Sequence, residues 1–208
     1  MEDWSDLLPL LFALLAVIGF PLALRSRKKG GPEKVEELHR HLLIIGIRAD
    51  RLEEGDGQIK AGGKRSRGRG AVGAIKLKGK NIDSINVIGV ASQYGVRYFL
   101  DFLVMSFSMM GKESKKKTRL IKKKSSSVLG KTIEIDWKGN DYLARKLSLD
   151  YQIKDKLSQA DAGILKGGIT IFPEPKLGYT RIRTTYFLPT PDLLEAMDII
   201  AKHIKAGQ

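Results

Sequence analysis

The sequence predicts an α+β protein: a mainly antiparallel sheet packed with two to three helices, behind an N-terminal single transmembrane helix. Three observations lead there. Residues 7–24 (LLPLLFALLAVIGFPLAL) carry no charge and no hydrogen-bonding side chain. Downstream, alternating or β-branched runs outnumber helical patterns. Those runs are not interleaved with helices, as a parallel sheet of βαβ units would require.

The apolar run comes first. Eighteen residues at 1.5 Å each make about 27 Å of helix, close to the ~30 Å hydrocarbon core. Glu2, Asp3 and Asp6 precede it, and Arg25, Arg27, Lys28 and Lys29 follow. The positive-inside rule then puts the short N-terminus outside and the remaining chain in the cytoplasm of a cell membrane. Trp4 takes the place of an interfacial aromatic. A cleaved signal peptide needs a basic start and a small-x-small cleavage site, and this start is acidic. Residues 98–110 are apolar but short and contain Asp101, so they read as a buried strand rather than a second span.

Residues 1–31 are therefore taken as the anchor with its basic linker, and 32–208 as a cytoplasmic α+β domain. Val35, Leu38, Leu42 and Ile45 give a helix over 33–45 with acidic residues in its first turns, as the helix dipole prefers. Residues 55–73 (GDGQIKAGGKRSRGRGAVG) form a Gly/Arg-rich loop. Strand patterns follow at 74–79, 85–92, 96–107, 118–124 and 132–137. The 118–124 segment is expected to pair back on 96–107 through the polar stretch 111–117. A helical stretch covers 141–158, divided by Asp150 as a cap. Segments 169–172 and 179–187 flank the loop PEPKLG as a hairpin. Thr190-Pro191-Asp192 opens a last helix striped by Leu193, Leu194, Met197, Ile200, Ala201 and Ile204.

Composition narrows the chemistry. The 208 residues contain no cysteine, which excludes disulfides, thiol catalysis and Cys-ligated metals. The net charge of +14 is uneven. Segments 25–29, 57–82 and 112–124 carry +4, +8 and +7, whereas 125–208 carry only +2. Nearly all the basicity thus belongs to a juxtamembrane collar and two segments. Lys64, Arg65, Arg67 and Arg69 mark the first segment. Lys115, Lys116, Lys117, Lys122, Lys123 and Lys124 mark the second. Anionic lipid headgroups suit such clusters, each cation near a charged leaflet being worth about 1 kcal/mol. Nucleic acid is the alternative partner, because RSRGRG resembles arginine/glycine-rich RNA-binding segments, in one short copy without an aromatic.

No motif fixes an activity. Gly57 and Gly62 have P-loop spacing, but the lysine arrives one place late and no strand pattern precedes it. His39 and His41 lie about 200° apart on a helix and read as solvated rather than as ligands. Glu134 and Asp136 share a strand face near Asp141, an arrangement more typical of a wet strand face than of an acid–base pair. Arg181, Arg183 and Tyr179 also share a face. No cofactor or metal is expected, and a protein partner is not identifiable. The sequence favours a membrane-held binding or scaffold domain over an enzyme.

Overall fold

The structure, a computed structural model, describes residues 30–52, 69–105, 116–124, 133–160 and 168–207. The apolar run 7–24 lies outside them. Among the described residues no helix is long and apolar enough to cross a membrane.

Among the described residues one eight-stranded antiparallel sheet organises the fold, with four α-helices packed against it. The strands are β1 (Ala49–Leu52), β2 (Arg69–Leu77), β3 (Ser84–Ser92), β4 (Gly95–Met105), β5 (Thr118–Lys124), β6 (Ile133–Lys138), β7 (Thr170–Glu174) and β8 (Tyr179–Thr185). Helix α1 covers residues 30–44, followed by α2 (Asp141–Leu149), α3 (Tyr151–Gln159) and α4 (Pro191–Ala206). The α+β class and antiparallel sheet match the expectation. The helix count exceeds it, because the break at Asp150 divides 141–158 into two helices.

Spatial order is β1-β2-β3-β4-β8-β7-β5-β6. This corrects the expected pairing of 118–124 with 96–107. Strand β5 pairs with β6 and β7, and β8 takes the place beside β4. Two further bounds shift. Strand β2 begins at Arg69, so residues 69–73 belong to the sheet and not to the Gly/Arg-rich loop. Helix α1 already includes Gly30 and Gly31 of the expected linker.

The core lies between the helices and one face of the sheet. Leu100, Phe102 and Val104 of β4 alternate inward, as period-2 geometry requires. They cluster with Ile85 and Val87 of β3, Ile182 of β8, Leu38 and Leu42 of α1, and Leu193, Met197 and Ile200 of α4. Close approach explains one glycine: a Cβ on Gly73 would stand 2.9 Å from Val35 Cγ2.

The caps work as the sequence predicts. Thr190 accepts from the Leu193 amide at 3.3 Å, and Pro191 fills the first turn of α4. Asp150 accepts from the Ile153 amide at 3.2 Å and holds His203 Nε2 at 2.6 Å, clamping α3 to α4. Burial works against the Asp150 carboxylate, yet the His203 contact and the Ile153 amide together hold its pKa below 3.8. A lowered folded-state pKa means stability present above the unfolded value and lost as pH falls through the folded one. Asp150→Ala is therefore expected to lose about 1 kcal/mol near neutral pH through the cap alone. The difference from wild type should shrink below pH 3.8; urea midpoints across that range check it.

Candidate functional site

Chemistry concentrates on the sheet face turned away from the helices. Because Leu100 and Phe102 point into the core, Asp101 between them must point the other way. A lone carboxylate there would face a heavy desolvation penalty. Strand register supplies its partners: Asp101 pairs with Arg183 across β4–β8, and Arg181 lies two residues along. Asp101 is 0% exposed, with Arg181 and Arg183 at 13% and 12%. Arg183 donates from Nε and Nη2 to the two carboxylate oxygens, both at 2.6 Å, a bidentate fork. Arg181 stands 3.6 Å from the same carboxylate and 2.9 Å from Glu174.

Aromatic rings complete the cluster. The Arg181 guanidinium lies 4.6 Å from the Phe172 centroid, and that of Arg183 lies 5.6 Å from both Phe99 and Phe172. Such stacking suits the weakly hydrated, planar guanidinium. Burial, with the Glu174 carboxylate adding to it, pushes the Tyr179 phenol up to about 12, so Tyr179 stays neutral near pH 7. Both oxygens of Asp101 accept from Arg183, so the carboxylate serves as the counter-ion of a buried guanidinium. The arrangement ties β4, β8 and β7 together across the middle of the sheet.

The sequence-expected candidates are dispersed. Trp4, Arg25, Arg27, Lys28, Lys29, Lys64, Arg65, Arg67 and Lys115 lie outside the described residues. Arg69 opens β2. Lys116 and Lys117 are exposed just ahead of β5; Lys116 meets Asp141 at 3.1 Å, and Lys117 lies 4.9 Å over the Phe172 ring. Lys122, Lys123 and Lys124 end β5. At ~3.3 Å per residue, about 20 Å separates the two ends of that strand. The second basic segment is thus not one patch, and its last three lysines stand on the strand expected over 118–124.

His39 and His41 are half-buried and hydrogen-bonded rather than simply solvated, which refines that expectation. His39 and His41 contact the Ala49 and Pro189 carbonyls at 3.1 and 2.9 Å, tying α1 to β1 and to the segment entering α4. Asp136 accepts from the Ser148 hydroxyl at 2.7 Å, while Asp141 meets Lys116, so these two carboxylates serve different partners. Among the described residues no group of three His, Asp or Glu is placed to hold a metal.

An open groove of about 640 Å³ runs along α1 beside Glu33, Glu36, Glu37, Arg40 and Arg51. Its charges pair among themselves: Glu36 with Arg51 at 2.6 Å and Glu37 with Lys34 at 2.7 Å. Glu37 also accepts from the Tyr186 hydroxyl at 3.0 Å. No protein-family model, curated protein or solved structure matches the chain.

Sequence reasoning placed Arg181 and Arg183 on one face but missed Asp101 as their counter-ion. The signal was present: a single acid inside YFLDFLVM and two cations inside YTRIRTTYF are charges within buried strands. Buried charges require partners, and these two strands supply opposite signs.

Proposed function

We propose that the chain is a single-pass membrane protein, N-terminus outside, whose α+β domain is a binding or scaffold domain held at the cytoplasmic face. Its basic segments contact anionic lipid. The observation that carries this reading is the uncharged run 7–24 with acids before it and four cations in 25–29 after it. The run precedes a described domain whose core is closed by its own helices. That division fits an anchor and a domain with separate tasks.

Cysteine labelling tests the topology, because the chain has no native cysteine to interfere. Glu2→Cys is expected to react with an impermeant maleimide in intact cells, and Gly207→Cys only after lysis. The reverse pattern would overturn the orientation, and extraction by alkaline carbonate would overturn the span.

Arg65, Arg67 and Arg69 within a glycine-rich run favour a second reading, a membrane-tethered nucleic-acid binder. Phosphate contacts release counterions, so RNA binding should fall steeply between about 50 and 200 mM salt. A flat salt response would remove this alternative.

A further inference from the structure

We infer that the outer face of α2, continued by the start of α3, is a docking surface for an anionic lipid leaflet, that of the anchoring membrane. This rests on the anchored reading above.

Helix geometry builds the surface. Tyr142, Arg145, Lys146 and Leu149 are spaced i, i+3, i+4 and i+7, which places them on one side of α2. Ala144 and Leu147, on the other side, are buried in the core. Asp150 ends α2 and caps α3, so Tyr151 follows directly and Lys154 lies three residues beyond it. Three large hydrophobic side chains here face solvent: Tyr142, Leu149 and Tyr151 are 53%, 74% and 77% exposed. Folding gives these side chains little burial. The other large hydrophobics so exposed among the described residues are dispersed, Leu43 and Ile44 on α1 and Tyr94 and Leu177 singly.

Cations are interleaved with them. Arg145 and Lys154 are exposed, and Lys146 Nζ lies 4.5 Å from the Tyr142 ring centroid. Among the described residues these three form no salt bridge, whereas the neighbouring carboxylates have partners. Asp141 meets Lys116 at 3.1 Å, Asp150 meets His203 at 2.6 Å, and Asp155 accepts from Gln159 at 2.9 Å. Lys156 turns to Asp192 and Glu195 of α4, about 140° round α3 from Tyr151. The outer face is therefore apolar and positive together. That combination suits the boundary of an anionic leaflet, where phenols span headgroup and acyl chain and Lys and Arg stems lie along apolar groups. Base stacking would need open aromatic faces, and the Lys146 ammonium already covers one face of Tyr142. Fully extended, the six residues from Leu24 to Gly30 reach roughly 20 Å, so anchoring keeps the leaflet at high effective concentration.

The acids that open α1 do not share this surface. Gly73 of β2 closely approaches Val35, so α1 lies over β2, whereas α2 packs on β5 and β6. Six strand steps separate β2 from β6. At ~4.8 Å per step they span roughly 29 Å, and twist of about 20–25° per step turns one end of the sheet well away from the other. Glu33, Glu36 and Glu37 thus belong to another side of the domain, as do Lys76, Lys78 and Lys80 at the end of β2.

The test uses the full chain reconstituted in vesicles, its lack of cysteine allowing single labels. A fluorophore is placed on Gln152→Cys, exposed beside Tyr151, or on Gln93→Cys, exposed in the β3–β4 hairpin. Headgroup-labelled quencher lipid reports proximity. With phosphatidylserine present, position 152 is expected to be quenched at least about twofold more than position 93, because an anionic leaflet attracts each nearby cation. Arg145→Glu with Lys154→Glu, both at exposed positions, should abolish the difference, as should vesicles of phosphatidylcholine alone. Equal quenching in protein that co-floats with phosphatidylserine vesicles overturns this surface and leaves the anchor standing. Failure to co-float overturns the anchored reading and this inference with it. A difference that survives in phosphatidylcholine alone overturns the anionic assignment. An RNA oligonucleotide that shields position 152 where phosphatidylserine vesicles do not quench it overturns the lipid assignment.

Discussion

Asp101→Ala is expected to remove about 3–5 kcal/mol of folding stability, the usual cost of breaking a buried ion pair from one side. The carboxylate is wholly buried and takes both prongs of the Arg183 fork at 2.6 Å. Its removal leaves two guanidinium groups, each largely buried, with Glu174 beside Arg181 as the carboxylate that remains among the described residues. Uncompensated charge, rather than lost volume, dominates the cost. A charge-free triple variant separates the two contributions. Asp101→Leu with Arg181→Met and Arg183→Met removes the charges together, and should recover most of the loss if the penalty is electrostatic. Urea unfolding of the chain in mild detergent, followed by circular dichroism, reads the difference. A loss below about 1 kcal/mol for Asp101→Ala would mean the cluster is not holding the sheet together.

The same cluster shows what was legible in the sequence. Each member strand was readable alone. The alternation in YTRIRTTYF and the turn residues in PEPKLG gave the β7–β8 hairpin, because a hairpin is a local object. The Asp101–Arg183 contact joins residues 82 apart, and periodicity carries no information about which distant strand becomes the neighbour. The same limit explains β5. Segment 111–117 made a local return onto β4 plausible, whereas β5 has β6 on one side and, on the other, β7, which begins 46 residues after Lys124. Strand β1 escaped notice because its four residues, ADRL, are too few to show an alternation. Helix caps were the most legible features. Thr190 and Asp150 act on amides three residues ahead, a distance the sequence does encode.

The basic clusters teach a related lesson. In sequence, 112–124 looks like one patch because its charges are contiguous. Strand geometry draws it out over about 20 Å. Arg69 and Arg97, 28 positions apart in sequence, instead share a row flanking Val90. Charge counting therefore found the cations but not the positions that strand register gives them.

Gly139→Ala is the second substitution expected to be severe, at about 2–6 kcal/mol from backbone strain and overpacking combined. Gly139 follows β6 with φ 143°, a region that L side chains rarely enter. A Cβ there would stand 2.0 Å from the Lys117 carbonyl oxygen and 2.6 Å from Thr118 Cα. Both are backbone atoms, so no rotamer change relieves the clash. The strands themselves would have to part at the point where β5 begins. The next residue, Asn140, donates its amide to Thr118 Oγ1 at 3.2 Å and caps α2 through Leu143 at 2.9 Å. Displacement would thus reach the helix start as well. Gly79→Ala is the matching control. Its φ of 71° is also positive, but nothing lies within 4 Å of the added carbon. It should cost only about 1–2 kcal/mol, the price of a left-handed residue. If the two variants unfold at the same urea concentration, conformation alone governs both sites and the close approach at Gly139 carries no energetic weight.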